Sequence, residues 1–129
     1  MSGLLLDTHT LLWALSDPDR LGPAARLALT DPGRERWVSV ATVWEMAIKS
    51  SMGKLVLGVP LGRLVRDTLP ACGLSLLDVR PDHAAEVEHL PFHHRDPFDR
   101  LLVAQVRVEG LALVSRDAQL DAYGVSRIW

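Results

Sequence analysis

Short apolar runs along the chain alternate with longer segments in which apolar residues recur every three or four positions. Continuous apolar runs are typical of strands buried on both faces of a sheet, and the longer spacing is typical of amphipathic helices. The alternation predicts an α/β fold whose central parallel sheet is covered by helices. The predicted strands are residues 4–6, 37–40, 74–79, 111–115 and 125–129. The predicted helices are residues 11–15, 23–29, 41–52, 60–71, 81–89, 97–108 and 117–122.

The length and composition fit one globular domain. The chain has 129 residues, of which 48% are hydrophobic and 23% charged, and it contains no internal repeat or low-complexity tract. We therefore expect a single domain over residues 1–129 with a sizeable core. Cys72 is the only cysteine, so no intrachain disulfide can form and a reducing compartment is expected. Its side chain is expected to be buried.

The net charge and the N-terminal residues limit the partners of the chain. With a net charge of −2, any attraction to nucleic acid must come from a local basic patch or a bound metal. The first residues lack the basic start of a signal peptide, and Asp7 interrupts their apolar run. No apolar segment reaches membrane-spanning length. We expect a cytoplasmic protein without membrane contact.

Residues 94–105, HRDPFDRLLVAQ, place two carboxylates at the start of a predicted helix. Proline suits the first helical position, so Pro97 makes Asp96 the natural N-cap. Asp99 lies one turn inside, at the flank of the apolar face. It is either an acid favoured by the helix dipole or a member of an acidic cluster assembled from distant parts of the chain.

Two further acids follow predicted strands directly. Asp7 comes after the first strand and Asp117 after the fourth. In parallel α/β sheets, ligands bind outside the carboxyl ends of the strands, so these two side chains can meet there. Either carboxylate could instead cap the helix that follows it.

Glu45 lies in the helix predicted after the second strand. By helical spacing it shares its face with Ala41, Trp44, Ile48 and Met52. A carboxylate within an apolar stripe needs a partner for its charge. Lys49, one turn later, offers an ordinary surface ion pair, and the other acids offer a shared site.

Convergence of Asp7, Glu45, Asp99 and Asp117 would require a means of relieving their repulsion. Two charges ~4 Å apart cost about 4 kcal/mol at an effective dielectric constant of ~20. Raised pKa values or a divalent cation relieve this cost. An all-oxygen donor set favours Mg²⁺, with Mn²⁺ as a second candidate, over zinc. Such an ion serves phosphodiester hydrolysis, because it activates water and stabilises the leaving oxygen.

Several segments carry a more specific signal together. They are LLLDTHTLLW at 4–13, the stretch 39–49, GKL at 53–55, HRDPFDR at 94–100, SRD at 115–117 and YGV at 123–125. In these segments the chain resembles the PIN-domain ribonucleases, specifically the VapC-type toxins of bacterial toxin–antitoxin pairs. The resemblance implies a Rossmann-like three-layer α/β/α domain with its first strand central. It also implies metal-dependent endonucleolytic cleavage of RNA, a cognate antitoxin and the homodimer that is usual in the family.

The resemblance assigns roles residue by residue. Asp7 and Asp99 match the principal magnesium ligands, and Glu45 and Asp117 match the acids that complete the metal shell or position water. Hydroxyl positions beside the site match Thr8 and Ser115, where serine replaces the commoner threonine. Asp96 is expected to be chiefly a helix cap, with a supporting role beside the site.

Basic, aromatic and histidine side chains complete the candidates. The candidates for contacts to RNA phosphate are Lys49, Lys54, Arg95, Arg100 and Arg116. Arg100 could equally orient Asp99.

The tryptophans, expected in the core, are Trp13, Trp37, Trp44 and Trp129. His9 suits either substrate contact or packing. His93 and His94 are adjacent, which is poor spacing for zinc, so with His89 they are expected to lie in loops or face RNA.

Two alternatives to a nuclease stay open from the sequence. The acidic pocket could hold a metal or a partner's arginine in a non-catalytic regulatory module, since the arginine fork suits carboxylates. Alternatively, Asp7 could be the acceptor of a phosphoryl group. The first alternative differs from the nuclease in predicting no metal-dependent cleavage of RNA.

Overall fold

A computed structural model describes residues 2–129. The strands are β1 (Leu4–Leu6), β2 (Arg36–Ser39), β3 (Ser75–Leu77), β4 (Ala112–Val114) and β5 (Arg127–Ile128). The α-helices are α1 (Thr8–Ser16), α2 (Pro23–Leu29), α3 (Val40–Ser51), α4 (Leu61–Arg63), α5 (Leu69–Ala71), α6 (Pro81–Val87) and α7 (Pro97–Glu109). A π-helical turn, Leu64–Thr68, joins α4 to α5, and 3₁₀ turns span Pro18–Arg20 and Ala118–Tyr123.

The strands form one sheet in the order β3-β2-β1-β4-β5, and each neighbouring pair is parallel. The first strand is therefore central, with Leu5 paired to Trp37 on one side and Leu113 on the other. The chain moves outward from β1 to β3 and then returns to the opposite side of β1 at β4. This reversal creates a topological switch point between β1 and β4, where α/β proteins bind ligands. The predicted three-layer α/β/α fold is confirmed.

Alternation along β1 divides the core between the two faces of the sheet. Leu5 packs with residues of α7, including Leu102 and Val103. Leu6 lies on the opposite face and packs with Leu11 of α1 and Met46 of α3. The three β1 leucines are fully buried, and burying each side chain contributes about 1.5–3 kcal/mol. The strand that carries Asp7 is thus anchored on both faces.

Element boundaries differ from the sequence prediction at several places. The first helix begins at Thr8 rather than at residue 11, because the Asp7 carboxylate caps it by accepting a hydrogen bond from the Thr10 N–H at 2.9 Å. The last strand comprises only Arg127–Ile128, and Val125 packs against the core outside the ladder. The short helix after Asp117 is 3₁₀ and ends at Gly124, whose φ is 70°.

The helix predicted over residues 60–71 contains a π turn that the apolar pattern does not indicate. The Leu69 N–H bonds the Leu64 carbonyl, five residues earlier. Pro70 explains the local widening, because proline has no N–H and its ring clashes with the carbonyl four residues before it.

Two burial predictions are wrong. Cys72 is exposed, because it caps the end of α5 at the surface. Trp44 is 61% exposed on α3, whereas Trp13, Trp37 and Trp129 are partly buried against the core. As to membranes, none of the helices within residues 2–129 combines the length and the apolar character that crossing a bilayer requires.

Candidate functional site

The four predicted acids line one cavity at the carboxyl edge of the sheet. Asp7 follows β1, Glu45 lies in α3, Asp99 in α7, and Asp117 follows β4. The cavity has a volume of about 610 Å³ and all four side chains border it. Residues that are distant in sequence therefore meet at the switch point of the sheet.

Glu45 is only 7% exposed, although it carries a carboxylate. One oxygen accepts a hydrogen bond from the Thr8 hydroxyl, and the other accepts from Lys49 Nζ at 2.7 Å. Both alternatives that the sequence offered for Glu45 are therefore present: it pairs with Lys49 and it borders the shared cavity. The prediction that Glu45 shares an apolar buried face with Trp44 and Met52 is wrong, because both of these side chains are exposed. The buried face of α3 instead consists of Ala41, Thr42, Glu45 and Met46.

Asp96 and Asp99 differ in their surroundings. Asp96 Oδ1 accepts the backbone N–H groups of Phe98 at 2.8 Å and Asp99 at 3.2 Å, so the predicted N-cap of α7 is confirmed. Asp99 borders the cavity with its side chain 26% exposed. Burial, with repulsion from Asp96, Asp7 and Glu45, raises the pKa of Asp99 to about 7, and His94 opposes the rise. The cavity therefore holds more negative charge than its own side chains offset.

Asp117 is positioned by three polar contacts. Its Oδ1 caps the 3₁₀ turn through the Gln119 N–H at 3.0 Å. Its backbone N–H donates to the hydroxyl of fully buried Ser115 at 3.1 Å. His94 Nε2 lies 2.8 Å from its Oδ2 and 3.5 Å from Asp99 Oδ2. The Ser115 hydroxyl thus helps to position Asp117 by accepting its backbone N–H.

His94 lies at the acidic site, whereas the sequence predicts only a loop position or an RNA-facing side chain for it. Its Nδ1 accepts the backbone N–H of Asp96 at 3.1 Å, which places the proton of the neutral ring on Nε2. That Nε2–H then donates to Asp117. The spacing of His94 and Asp96 in the sequence indicates this contact, because a histidine two residues before an N-cap can accept the backbone N–H of the cap.

Metal-ligating atoms of His94, Asp99 and Asp117 lie within 4.8 Å of one another. The tautomer described above makes the imidazole a hydrogen-bond donor to the carboxylates, so the donor set facing the cavity consists of oxygen atoms. Oxygen donors suit Mg²⁺ or Mn²⁺. The raised pKa of Asp99 is itself a mark of charge that a cation would neutralise.

The basic candidates separate into two groups. Lys49 and Arg116 line the cavity, and Lys54 and Arg95 are exposed. The prediction that Arg100 contacts phosphate or orients Asp99 is wrong. Its side chain is buried, and the guanidinium is held by carbonyl groups of the loop before α7 and by the Tyr123 hydroxyl. Packing against the exposed ring of Phe92, 4.3 Å from the guanidinium carbon, adds a cation–π contact.

We expect the ion-free protein to lose stability as the pH rises from about 4 to about 7. In that window the folded state keeps the Asp99 proton, which the unfolded chain releases near 3.8, so the folded state binds more protons. Because this carboxyl is partly open to solvent, the loss is of order 2 kcal/mol. Denaturant unfolding across this range measures it. Asp99→Asn should flatten the pH dependence, and an unchanged slope in that variant would contradict the assignment.

Comparison with known proteins places these features in a family. A family model described as PIN domain matches residues 4–125. Ribonuclease VapC22 of Mycobacterium tuberculosis is 28% identical over 124 residues, which cover 95% of this chain and 93% of that protein. Among solved structures, VapBC2 from Rickettsia felis, bound to a DNA fragment from its promoter, aligns with a TM-score of 0.71 at 12% identity and covers 98% of each chain.

A second solved structure agrees with the first on the fold. DNA-bound VapBC from Salmonella typhimurium aligns with a TM-score of 0.71 at 16% identity, covering 98% of this chain and 96% of that one. FitAcB from Neisseria gonorrhoeae aligns with a TM-score of 0.63 at 23% identity, covering 96% and 95%. The matches extend over nearly the whole chain in each case.

Proposed function

Because this chain belongs to the PIN domain family, we propose that it is a VapC-type endoribonuclease that uses a divalent cation and acts as the toxin of a toxin–antitoxin pair. The observation that carries the proposal is the meeting of four carboxylates from separate elements around one cavity. A structural role alone would not require four acids at this place. A set of carboxylates that holds a cation for phosphodiester hydrolysis accounts for them.

The residues that would hold the ion are Asp7, Glu45, Asp99 and Asp117. The oxygen donors and the raised pKa of Asp99 fit Mg²⁺ or Mn²⁺ at this place. When bound, such an ion offsets negative charge on the phosphate and lowers the pKa of a coordinated water.

The surrounding side chains hold these acids in place. Lys49 and the Thr8 hydroxyl hold the Glu45 carboxylate in place within its buried surroundings. His94 and Ser115 fix Asp117. The cationic side chains of Lys49 and Arg116 border the cavity and favour an incoming phosphate despite the negative net charge.

The test is cleavage of single-stranded RNA by the purified chain with Mg²⁺, with Mn²⁺ and with EDTA. We expect cleavage with either ion and none with EDTA. Absence of cleavage with both ions, in protein that is folded by circular dichroism, would refute the nuclease and favour the non-catalytic binding module. Phosphoryl transfer to Asp7 from a small phosphodonor would instead support the phospho-acceptor.

A cognate antitoxin and a homodimer belong to the same proposal. The solved structures with similar folds include toxin–antitoxin complexes, which supports a protein partner for this chain. Co-expression with a small reading frame next to its own should yield a stable complex that no longer cleaves RNA. Light scattering on the chain alone measures whether it is a dimer without that partner.

A further inference from the structure

We propose that His9 and Trp13 form an aromatic wall that stacks an unpaired nucleobase beside the phosphate bound in the acidic cavity. The inference rests on the proposed function, because it names the part of the RNA that one side of the same cavity binds. It makes single-stranded RNA the substrate class and makes this wall a determinant of that preference.

The wall is built on the first helix. His9 and Trp13 are four residues apart on α1, so they share a face, and both line the cavity that contains the acids. Their ring centroids are 5.5 Å apart with an interplanar angle of 35°. Asp7 caps the same helix, which fixes the aromatic pair relative to one of the acids.

Packing behind the wall holds the indole in one position. The Trp13 ring contacts the Trp129 ring with centroids 5.7 Å apart, and the Arg20 guanidinium carbon lies 5.4 Å from the indole centroid. Trp13 is half-buried against the core, whereas His9 is exposed at the cavity. The pair therefore presents a supported aromatic surface that needs little ordering when a ligand binds.

The roles assigned to the acids do not explain why the rings of His9 and Trp13 line the same cavity. Carboxylates suffice to hold a cation, and Lys49 and Arg116 supply charge for phosphate. A π-face in the same cavity matches the remaining part of a nucleotide, because every base has a π-face that stacks on aromatic side chains. A cavity of about 610 Å³ lies within the size range of small-ligand sites.

The wall favours an unpaired base over a paired one. In a duplex each base is stacked between its neighbours and its faces are covered, whereas single strands expose them. Gln119 also lines the cavity, where its amide can donate to or accept from a base edge. The base would thus lie towards α1 and the phosphate towards the acids.

The deciding experiment is RNA binding by His9 variants in the Asp99→Asn background, without divalent ion, so that cleavage does not interfere. The probes are short labelled oligo(A) and oligo(U), the same strands annealed to complements, and versions with abasic nucleotides. His9→Ala should weaken single-strand binding about 5-fold or more, and His9→Phe should restore it, because phenylalanine keeps the ring and loses the imidazole nitrogens. His9 is exposed, so neither change should unfold the domain. Trp13→Ala risks the packing against Trp129 and is not the deciding variant.

The matched control is His89→Ala, which removes another exposed histidine away from the cavity and should leave binding unchanged. Abasic substitution should weaken binding to the parent protein more than binding to His9→Ala, which keeps only the Trp13 ring. Equal affinities of parent and His9→Ala would overturn the inference, and so would a His9→Phe variant as weak as His9→Ala. Loss of antitoxin binding with unchanged RNA binding would overturn it in favour of a protein contact.

Failure of the wall and failure of the nuclease give different results. If the otherwise wild-type chain cleaves RNA with Mg²⁺ and its His9→Ala variant cleaves equally well at low RNA concentration, only the aromatic wall is refuted. If the wild-type chain does not cleave RNA with any divalent ion, the proposed function itself is refuted.

Discussion

Asp99→Asn is expected to lower metal-dependent RNA cleavage at least about 100-fold while the domain stays folded. Asparagine keeps the size and one oxygen of the side chain but removes the charge that would hold a cation. Burial, together with repulsion from the carboxylates of Asp96, Asp7 and Glu45, raises the pKa of this carboxyl group. Removing that charge should therefore leave the free energy of unfolding at pH 8 equal to or above that of the wild type. Cleavage assays and denaturant unfolding on the same preparation separate lost chemistry from lost folding.

The matched control for this variant is Asp96→Asn, one helical turn earlier. Asparagine caps helices about as well as aspartate, so the two hydrogen bonds to the start of α7 can be kept. Cleavage by this variant should stay within a few-fold of the wild-type rate. A wild-type rate in Asp99→Asn, or an equal loss in both variants, would contradict the separation of cap and metal ligand.

The sequence predicted the features of the site that depend on topology. Parallel strands bring their carboxyl ends to one edge, so acids that directly follow β1 and β4 are placed there by the fold itself. Asp96 followed by Pro97 identifies the helix start from local chemistry alone, and the cap is present in the structure. The roles of the four acids in metal binding remain predictions.

Long side chains at element surfaces were not predictable in the same way. The sequence around Trp44 and around Arg100 is compatible with a side chain that points into the core or out to solvent. Tertiary packing decides between the two orientations. The indole lies outside the core at the surface of α3, against Phe98, whereas the guanidinium turns inward. The role of His94 depends on the contacts of both ring nitrogens. One nitrogen contacts the cap of α7, and the other contacts Asp117 after β4, which is distant in sequence.

Arg100→Met is expected to lower the free energy of unfolding by about 2–3 kcal/mol. Arg100 is only 5% exposed, and its guanidinium donates to the carbonyls of Pro91 at 2.8 Å and Leu90 at 3.2 Å. Methionine fills much of the same space but leaves these acceptors unpaired. No carboxylate takes part in these bonds, so the burial cost of the charge is offset by neutral acceptors and by the Phe92 ring. That cost limits the expected loss to a few kcal/mol.

The variant should also disturb the acidic site through the Tyr123 hydroxyl. This hydroxyl accepts hydrogen bonds from Arg100 Nη1 at 3.1 Å and from the His94 backbone N–H at 3.0 Å. Loss of the guanidinium therefore loosens the loop that carries His94 towards Asp117. We expect Tyr123→Phe, which deletes the shared acceptor, to reproduce part of the loss of stability.

Arg107→Met is the matched control, since it removes an arginine from the same helix. Arg107 is exposed and pairs with Glu86 across 3.2 Å, so its loss should change the free energy of unfolding by less than about 0.5 kcal/mol. Denaturant midpoints with unchanged slopes measure both variants. If Arg100→Met unfolds at the same midpoint as Arg107→Met, the buried guanidinium does not stabilise the loop. The hydrogen bonds of Arg100 would then be a result of how α7 packs, and they would not hold the loop in place.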